Sequence, residues 1–193
     1  MRRPGRLAIC LVAIASASLS AAGSAAAASP DADNLVRTYA PILMMRAQED
    51  ANDPCDTTEE QFNPPTQVEV VLGNPAVKLV HYVNGRDVVL KSAPTAADIA
   101  GLDEDYYLDL PRDTLSPGCG YARDYAALRS NGDAPPVTYA HIAQEPGVPG
   151  LVVQYWFFYY FNQFNDIHEG DWEGMQISFD ADTPGQALAD GPS

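Results

Sequence analysis

The sequence is poor in cysteine, in positive charge and in catalytic signatures. It holds three cysteines in 193 residues, and 11 lysines and arginines face 26 aspartates and glutamates. The resulting net charge of −15 makes nucleic acid and anionic lipid poor partners, since both repel an acidic surface. Cations, cationic surfaces and neutral glycans remain open. The sequence has no Gly-x-Ser-x-Gly, no phosphate loop, no Gly-x-Gly-x-x-Gly, no His-Glu-x-x-His and no paired Cys-x-x-Cys. No nucleophile beside a base is evident, which ranks binding above catalysis. Past the N-terminal segment no apolar run is long enough to span a bilayer; the longest, Leu151 to Phe161, is too short.

What is present begins with an export signature. Arg2, Arg3 and Arg6 form a basic start, Leu7 to Leu19 an apolar stretch, and Ala26-Ala27-Ala28 a small-residue cleavage site before Ser29. Residues 1–28 are therefore expected to be a signal peptide, the protein to be secreted, and residues 29–193 to form a single domain. Losing the three arginines leaves 8 basic against 26 acidic residues, a net charge of −18. It also removes Cys10 and leaves Cys55 and Cys119. An even pair in an exported chain predicts one disulfide, worth about 4 kcal/mol by loop-closure entropy.

The chain is organised around Leu151-Val-Val-Gln-Tyr-Trp-Phe-Phe-Tyr-Tyr-Phe161, which reads as a central strand covered on both faces. It leads into Asn165-Asp-Ile-His-Glu-Gly-Asp-Trp-Glu173, a histidine and four acids in nine residues. From Asp171 to Phe179 the residues alternate. Asp171, Glu173, Met175, Ile177 and Phe179 share one face; Trp172, Gly174, Gln176 and Ser178 share the other. The carboxylates of Asp171 and Glu173 thus head the more apolar face, about 7 Å apart along the strand. Such groups need hydrogen-bond donors, an arginine or a bound cation. His168 stands three residues before Asp171, in the predicted turn entering the strand. The expected metal ligands are His168, Asp171 and Glu173, with His141 and Glu169 as supporting residues. Oxygen ligands favour Ca²⁺, Mg²⁺ or Mn²⁺; the histidine leans toward Mn²⁺ or Zn²⁺, with zinc ranked last. The competing expectation is a hydrogen-bonded acid cluster without metal. Trp172, on the opposite face, is expected to serve packing.

Elsewhere the chain predicts short strands, Gly/Pro turns and a few short helices. Asp33 is expected to cap a helix over 35–39, and Ile42 to Met45 and Val68 to Leu72 to be strands. Asn84-Gly85 between two alternating runs predicts a hairpin with a type I′ turn. Thr95 caps a short helix ended by Gly101. Tyr106 to Leu110 reads as a strand, Tyr121 to Arg129 as a helix ended by Asn131-Gly132, and Val137 to Gln144 as a strand. His81 and His141 are expected to be satisfied core histidines. Thr183-Pro184 starts a last helix. The pattern predicts an all-β fold, a sandwich of mainly antiparallel strands with short added helices.

The aromatic strand followed by His168-Glu-Gly-Asp-Trp-Glu173 resembles the vacuolar protein sorting-associated protein 62 family. Tyr39-Ala40-Pro41, then Glu49 and Pro64-Pro65 before Val68, resembles the opening of that family. The His-x-x-Asp-Trp-Glu core is more distantly similar to necrosis-inducing proteins, secreted sandwiches whose acidic motif holds a divalent cation and which act on plant membranes. The chain departs from that motif at Glu169-Gly170, where those proteins carry a basic residue and a second histidine. Both resemblances imply a β-sandwich, and the first implies further strands beyond residue 193, so the domain is expected to be incomplete at its C-terminus. Three functions follow as expectations. One is an exported module binding a divalent cation and a glycan or cell-surface ligand. The others are a metal-dependent hydrolase and a membrane-damaging toxin.

Overall fold

A computed structural model describes residues 29–45, 64–162 and 168–193. The expected signal peptide at residues 1–28, the acidic stretch with Cys55, and residues 163–167 lie outside the described residues. The fold is mostly β. Two antiparallel three-stranded sheets are accompanied by a few short helices.

The first sheet is built on the predicted hairpin. Strands β1 (Lys78–Val83) and β2 (Arg86–Ser92) are joined by Asn84 and Gly85 at φ 52° and 75°. Both central residues are left-handed, as a type I′ turn requires. β3 (Tyr106–Asp109) pairs with the other side of β1, giving the order β2-β1-β3. The second sheet has the order β4-β5-β6, from β4 (Tyr139–Ala143), β5 (Leu151–Asn162) and β6 (His168–Phe179). β5 is central, as the aromatic run predicts, and its register with β6 runs from Leu151 opposite Phe179 to Asn162 opposite His168.

β5 joins two cores. Leu151, Val153, Tyr155 and Phe157 point to helices α1 (Pro30–Thr38) and α4 (Pro184–Asp190), burying Leu35 and Ala187 completely. Phe158, Tyr160 and Phe161 enter a second cluster with Tyr121 and Tyr125 of α3 (Gly120–Asn131), Val77 and Leu110. The tyrosines are amphipathic, and their hydroxyls reach backbone acceptors: Tyr155 donates to Val36 O at 2.8 Å and Tyr125 to Pro64 O at 2.6 Å. These bonds tie the helix and the Pro64 segment to β5 and α3.

Local signals set the helix ends. Thr95 and Asp98 form a capping box on α2 (Ala96–Ile99), and Thr183 Oγ1 accepts from Gln186 N at the start of α4. The first helix starts earlier than expected. Ser29, not Asp33, is its cap, accepting from Ala32 N at 3.2 Å with Pro30 in the first turn. Two expected strands are absent. Ile42 to Met45 forms no ladder, with Ile42 and Met44 87% and 90% exposed, because no described strand offers it partners. Val68–Val70 closes as a 3₁₀ turn that buries Val70, since hydrophobicity can be buried by a turn as well as by a strand. No helix among the described residues is long and apolar enough to cross a membrane.

Candidate functional site

The predicted acidic stretch lies at the beginning of β6, which starts at His168 itself rather than after it. His168 Nε2 is 3.3 Å from Asp171 Oδ1. The other oxygen of Asp171 accepts from Asn162 Nδ2 at 3.1 Å across the β5–β6 register. Asp171 is therefore held between an imidazole and an amide, with 17% of its side chain exposed against 41% for His168. Burying a carboxylate to this extent is tolerable because both oxygens have partners.

Glu173 is exposed and lies opposite Phe157, on the face of Asp171 as the alternation predicts. Both carboxylates lie close enough to Tyr159 to raise its pKa further, after burial has done most of that work. Among the described residues no group of three or more His, Cys, Asp or Glu is arranged to hold a metal ion. His168 and Asp171 are the two expected ligands that the fold brings together.

Glu169 goes elsewhere. Gly170, at φ +68°, turns β6 where the pair with Tyr160 is missing, and the register resumes unshifted at Phe161 and Glu169. Strict alternation would put Phe161 and its partner Glu169 on the face of Tyr159 and Asp171. Instead Phe161 joins Phe158 and Tyr160 in the α3 core, and Glu169 follows it. There Glu169 Oε2 accepts from Leu110 N at 2.8 Å and Oε1 from the Tyr121 hydroxyl. Tyr121 is 1% exposed and stacks on Phe161 with ring centroids 3.7 Å apart. Burial pushes the Glu169 carboxyl above its ordinary range, more than its two donors lower it. The Tyr121 hydroxyl is pushed far up, by burial and by the carboxylate it serves, so it keeps the proton it donates. Glu169 is thus a clamp joining β6, the end of β3 and α3.

His168 and Glu169 also line an open cleft of about 430 Å³, with Tyr107, Asp109, Arg112 and Thr114. Arg112 makes a two-bond ion pair with Asp124, its Nε 2.7 Å from Oδ2. Its charge is therefore matched, and Asp109 is matched in turn by Lys78 Nζ at 3.5 Å, which leaves Asp113 and Glu169 as the other carboxyls of the lining.

His141 does not join this site, and it is not a core histidine. It is exposed, pairs with Gln154 in the β4–β5 register, and has Nδ1 3.4 Å from Gln154 Oε1. Asp171 pairs with Tyr159, five residues further along β5 and on the opposite face. His81 is half-buried and stacks flat on Tyr106, with centroids 4.2 Å apart. Asn162 and Tyr121 were not singled out in the sequence. The signal for Asn162 was a polar residue closing an aromatic strand; Tyr121 had none, because its contact with Glu169 spans 48 residues.

Cys119 occupies the N-cap position of α3. Its expected partner Cys55 lies outside the described residues. Thiol titration of denatured, unreduced protein lacking residues 1–28 is expected to find no free thiol, whereas two reactive thiols would exclude a bond between these cysteines.

No family model, curated protein or solved structure matches the chain.

Proposed function

We propose that the chain is an exported binding domain, similar to the vacuolar protein sorting 62 family. In this reading it takes a divalent cation at His168 and Asp171 and through it a glycan or cell-surface ligand. The observation that carries the reading is the 3.3 Å separation of His168 Nε2 and Asp171 Oδ1. Adjacent ligands bonded at about 2.0–2.4 Å to one cation stand roughly 3–3.5 Å apart, so the pair fits the edge of one coordination shell. A nitrogen and a carboxylate oxygen suit Mn²⁺, with Ca²⁺ and Mg²⁺ as harder alternatives and Zn²⁺ behind them. Glu173, exposed on the same face, is the third candidate donor. The cation would supply a positive charge and open positions for a ligand oxygen. The cleft beside His168, with Asp113 and Glu169 in its lining, favours positive charge in the same corner. Catalysis ranks second because both oxygens of Glu169, the carboxyl shifted toward an acid's role, are taken by Leu110 and Tyr121.

Calorimetric titration of metal-stripped protein with Mn²⁺ and Ca²⁺ tests the site. Wild type should bind one cation per chain and Asp171→Asn none, with the two proteins melting together in chelator. Equal affinity in both, or no binding in wild type, would remove the cation from the reading.

A further inference from the structure

The face of the second sheet turned away from α1 and α4 carries an unusual surface. Both tryptophans of the chain are on it, Trp156 40% exposed and Trp172 46% exposed. Monomeric domains seldom leave such side chains in water without use, because each forfeits a large burial free energy. Trp156 on β5 is opposite Gly174 on β6, and Trp172 is opposite Phe158. The two indoles are therefore diagonal neighbours across one strand pair, their stems about 7–8 Å apart.

The glycine accounts for the attitude of Trp156. A Cβ at Gly174 would stand 3.0 Å from Cε3 and Cζ3 of the indole. The ring thus lies close against the bare backbone of Gly174, and 40% of the residue stays exposed. Trp172 is held from below by Phe158, with centroids 5.1 Å apart, and from the side by Tyr139, at 5.5 Å. It packs as expected, yet nearly half of it stays open. Both indoles are fixed by their neighbours, so a ligand would not have to immobilise them.

The polar groups around them are planar, two amides and an imidazole. Gln154 is next but one before Trp156 on β5, Gln176 lies opposite it on β6, and His141 lies opposite it on β4. Along this face, positions 152 to 158 of β5 and 172 to 178 of β6 alternate through Val, Gln, Trp and Phe and through Trp, Gly, Gln and Ser. None is ionised, in a chain with 26 acids. Glu69 stands at the rim, 3.4 Å from the Tyr139 hydroxyl. An uncharged patch on so acidic a chain matches an uncharged ligand.

We infer that this face, through Trp156, Trp172, Gln154, Gln176 and His141, binds a neutral oligosaccharide of gluco-configured, β-linked pyranoses. Such a sugar has its hydroxyls equatorial, so its ring faces present only axial C–H bonds. These carry slight positive charge and rest on the negative face of an indole, the same electrostatic match that draws cations to aromatic rings. The equatorial hydroxyls then point outward in the plane of the ring, where amide and imidazole groups can donate and accept. The inference is independent of the cation reading, since Asp171, with His168 beside it, pairs with Tyr159 on the opposite face from Gln154 and Trp156.

Because both tryptophans of the chain belong to the platform, fluorescence excited selectively at tryptophan reports on it. The protein should be titrated with cellohexaose and chitohexaose, with maltohexaose as the α-linked control, each with and without EDTA. Saturable change with a β-linked sugar, unaltered by EDTA, is expected. Trp156→Ala should weaken binding at least tenfold. Gly174→Ala, which lifts the indole without removing it, should weaken it severalfold while leaving the circular dichroism spectrum unchanged. No saturation by either β-linked sugar overturns the inference, as does undiminished binding by Trp156→Ala. So does light scattering that finds a dimer with quenched tryptophans before sugar is added, which would make a second copy the occupant of the face. Loss of binding in EDTA alone would transfer the ligand to the cation site and overturn the platform.

Discussion

Gly150→Ala is expected to cost about 4 kcal/mol and to lower the melting temperature by roughly 10 °C. Gly150 stands between the turn after β4 and the first residue of β5, at φ +90°. An alanine there carries the ordinary penalty of a left-handed backbone, about 1–3 kcal/mol. Its Cβ would also meet the carbonyl oxygen of Phe179 at 2.4 Å and the Cα of Asp180 at 3.7 Å. Backbone cannot rotate aside as a side chain can, so β5 and β6 must separate where Leu151 pairs with Phe179. Phe179 is 1% exposed and packs edge-on against Tyr39, so the displacement reaches the core under α1 and α4. Forcing extra volume into such a site adds a further 1–3 kcal/mol or so. A domain of this size loses about 2–4 °C per kcal/mol. Gly147→Ala is the internal control, since it has φ +84° but open space around its Cβ. Thermal melts of the two variants should differ clearly. Equal melts would mean that the close approach at Phe179 relaxes freely.

Glu169→Ala is expected to cost about 2–5 kcal/mol, although the residue lies on a strand end with half its surroundings open. The substitution removes the acceptor from Leu110 N and from the Tyr121 hydroxyl at once. Each buried donor left unpaired costs about 1–3 kcal/mol. Tyr121→Phe removes one of those donors, so the double variant should recover part of the loss. Strict additivity in urea midpoints would deny the clamp. The carboxyl's charge makes a second test. Burial raises its native pKa above the unfolded value of about 4.3. The native state then holds the proton more tightly, so its advantage is full below the unfolded pKa and is lost as pH rises through the native one. Glu169→Gln lacks that loss. The stability gap between wild type and Glu169→Gln should therefore move toward the variant as pH rises from the unfolded value of about 4.3 through the raised native one. A gap that stays constant across the range would contradict a raised carboxyl.

Much of the fold was legible because its signals are local. Asn84-Gly85 states a left-handed turn, and the runs on either side pair as they must. The Thr95–Asp98 box and Thr183-Pro184 set helix starts from three or four residues each. Leu151 to Phe161 is apolar on both faces, which only a central strand needs, and the alternation after Asp171 places Asp171 and Glu173 together because a strand has no other period. The nearness of His168 to Asp171 belongs to the same class, being a matter of three residues. Misplaced elements had weak or ambiguous signals. Ile42 to Met45 has a strand's composition, but a strand exists only where another chain segment supplies hydrogen bonds. The apolar Val68–Val70 could be buried by a turn as readily as by a ladder.

By itself, then, the sequence determined the mostly-β class, the central aromatic strand, the hairpin, three of the helix positions and the pairing of a histidine with an acid. The tertiary structure decided which partners each acid meets. One left-handed residue, Gly170, turns Glu169 into the α3 core, where Tyr121 and Leu110 claim both its oxygens, while Asp171 stays on the other face with His168 and Asn162. It also decided that His141 belongs with the tryptophan face and not with the acids, since their positions are set by register and side of sheet. Periodicity records which residues share a face within one strand. Which face meets a helix, a cleft or water depends on contacts between residues far apart in the chain, and those are fixed only when the sheets and helices assemble.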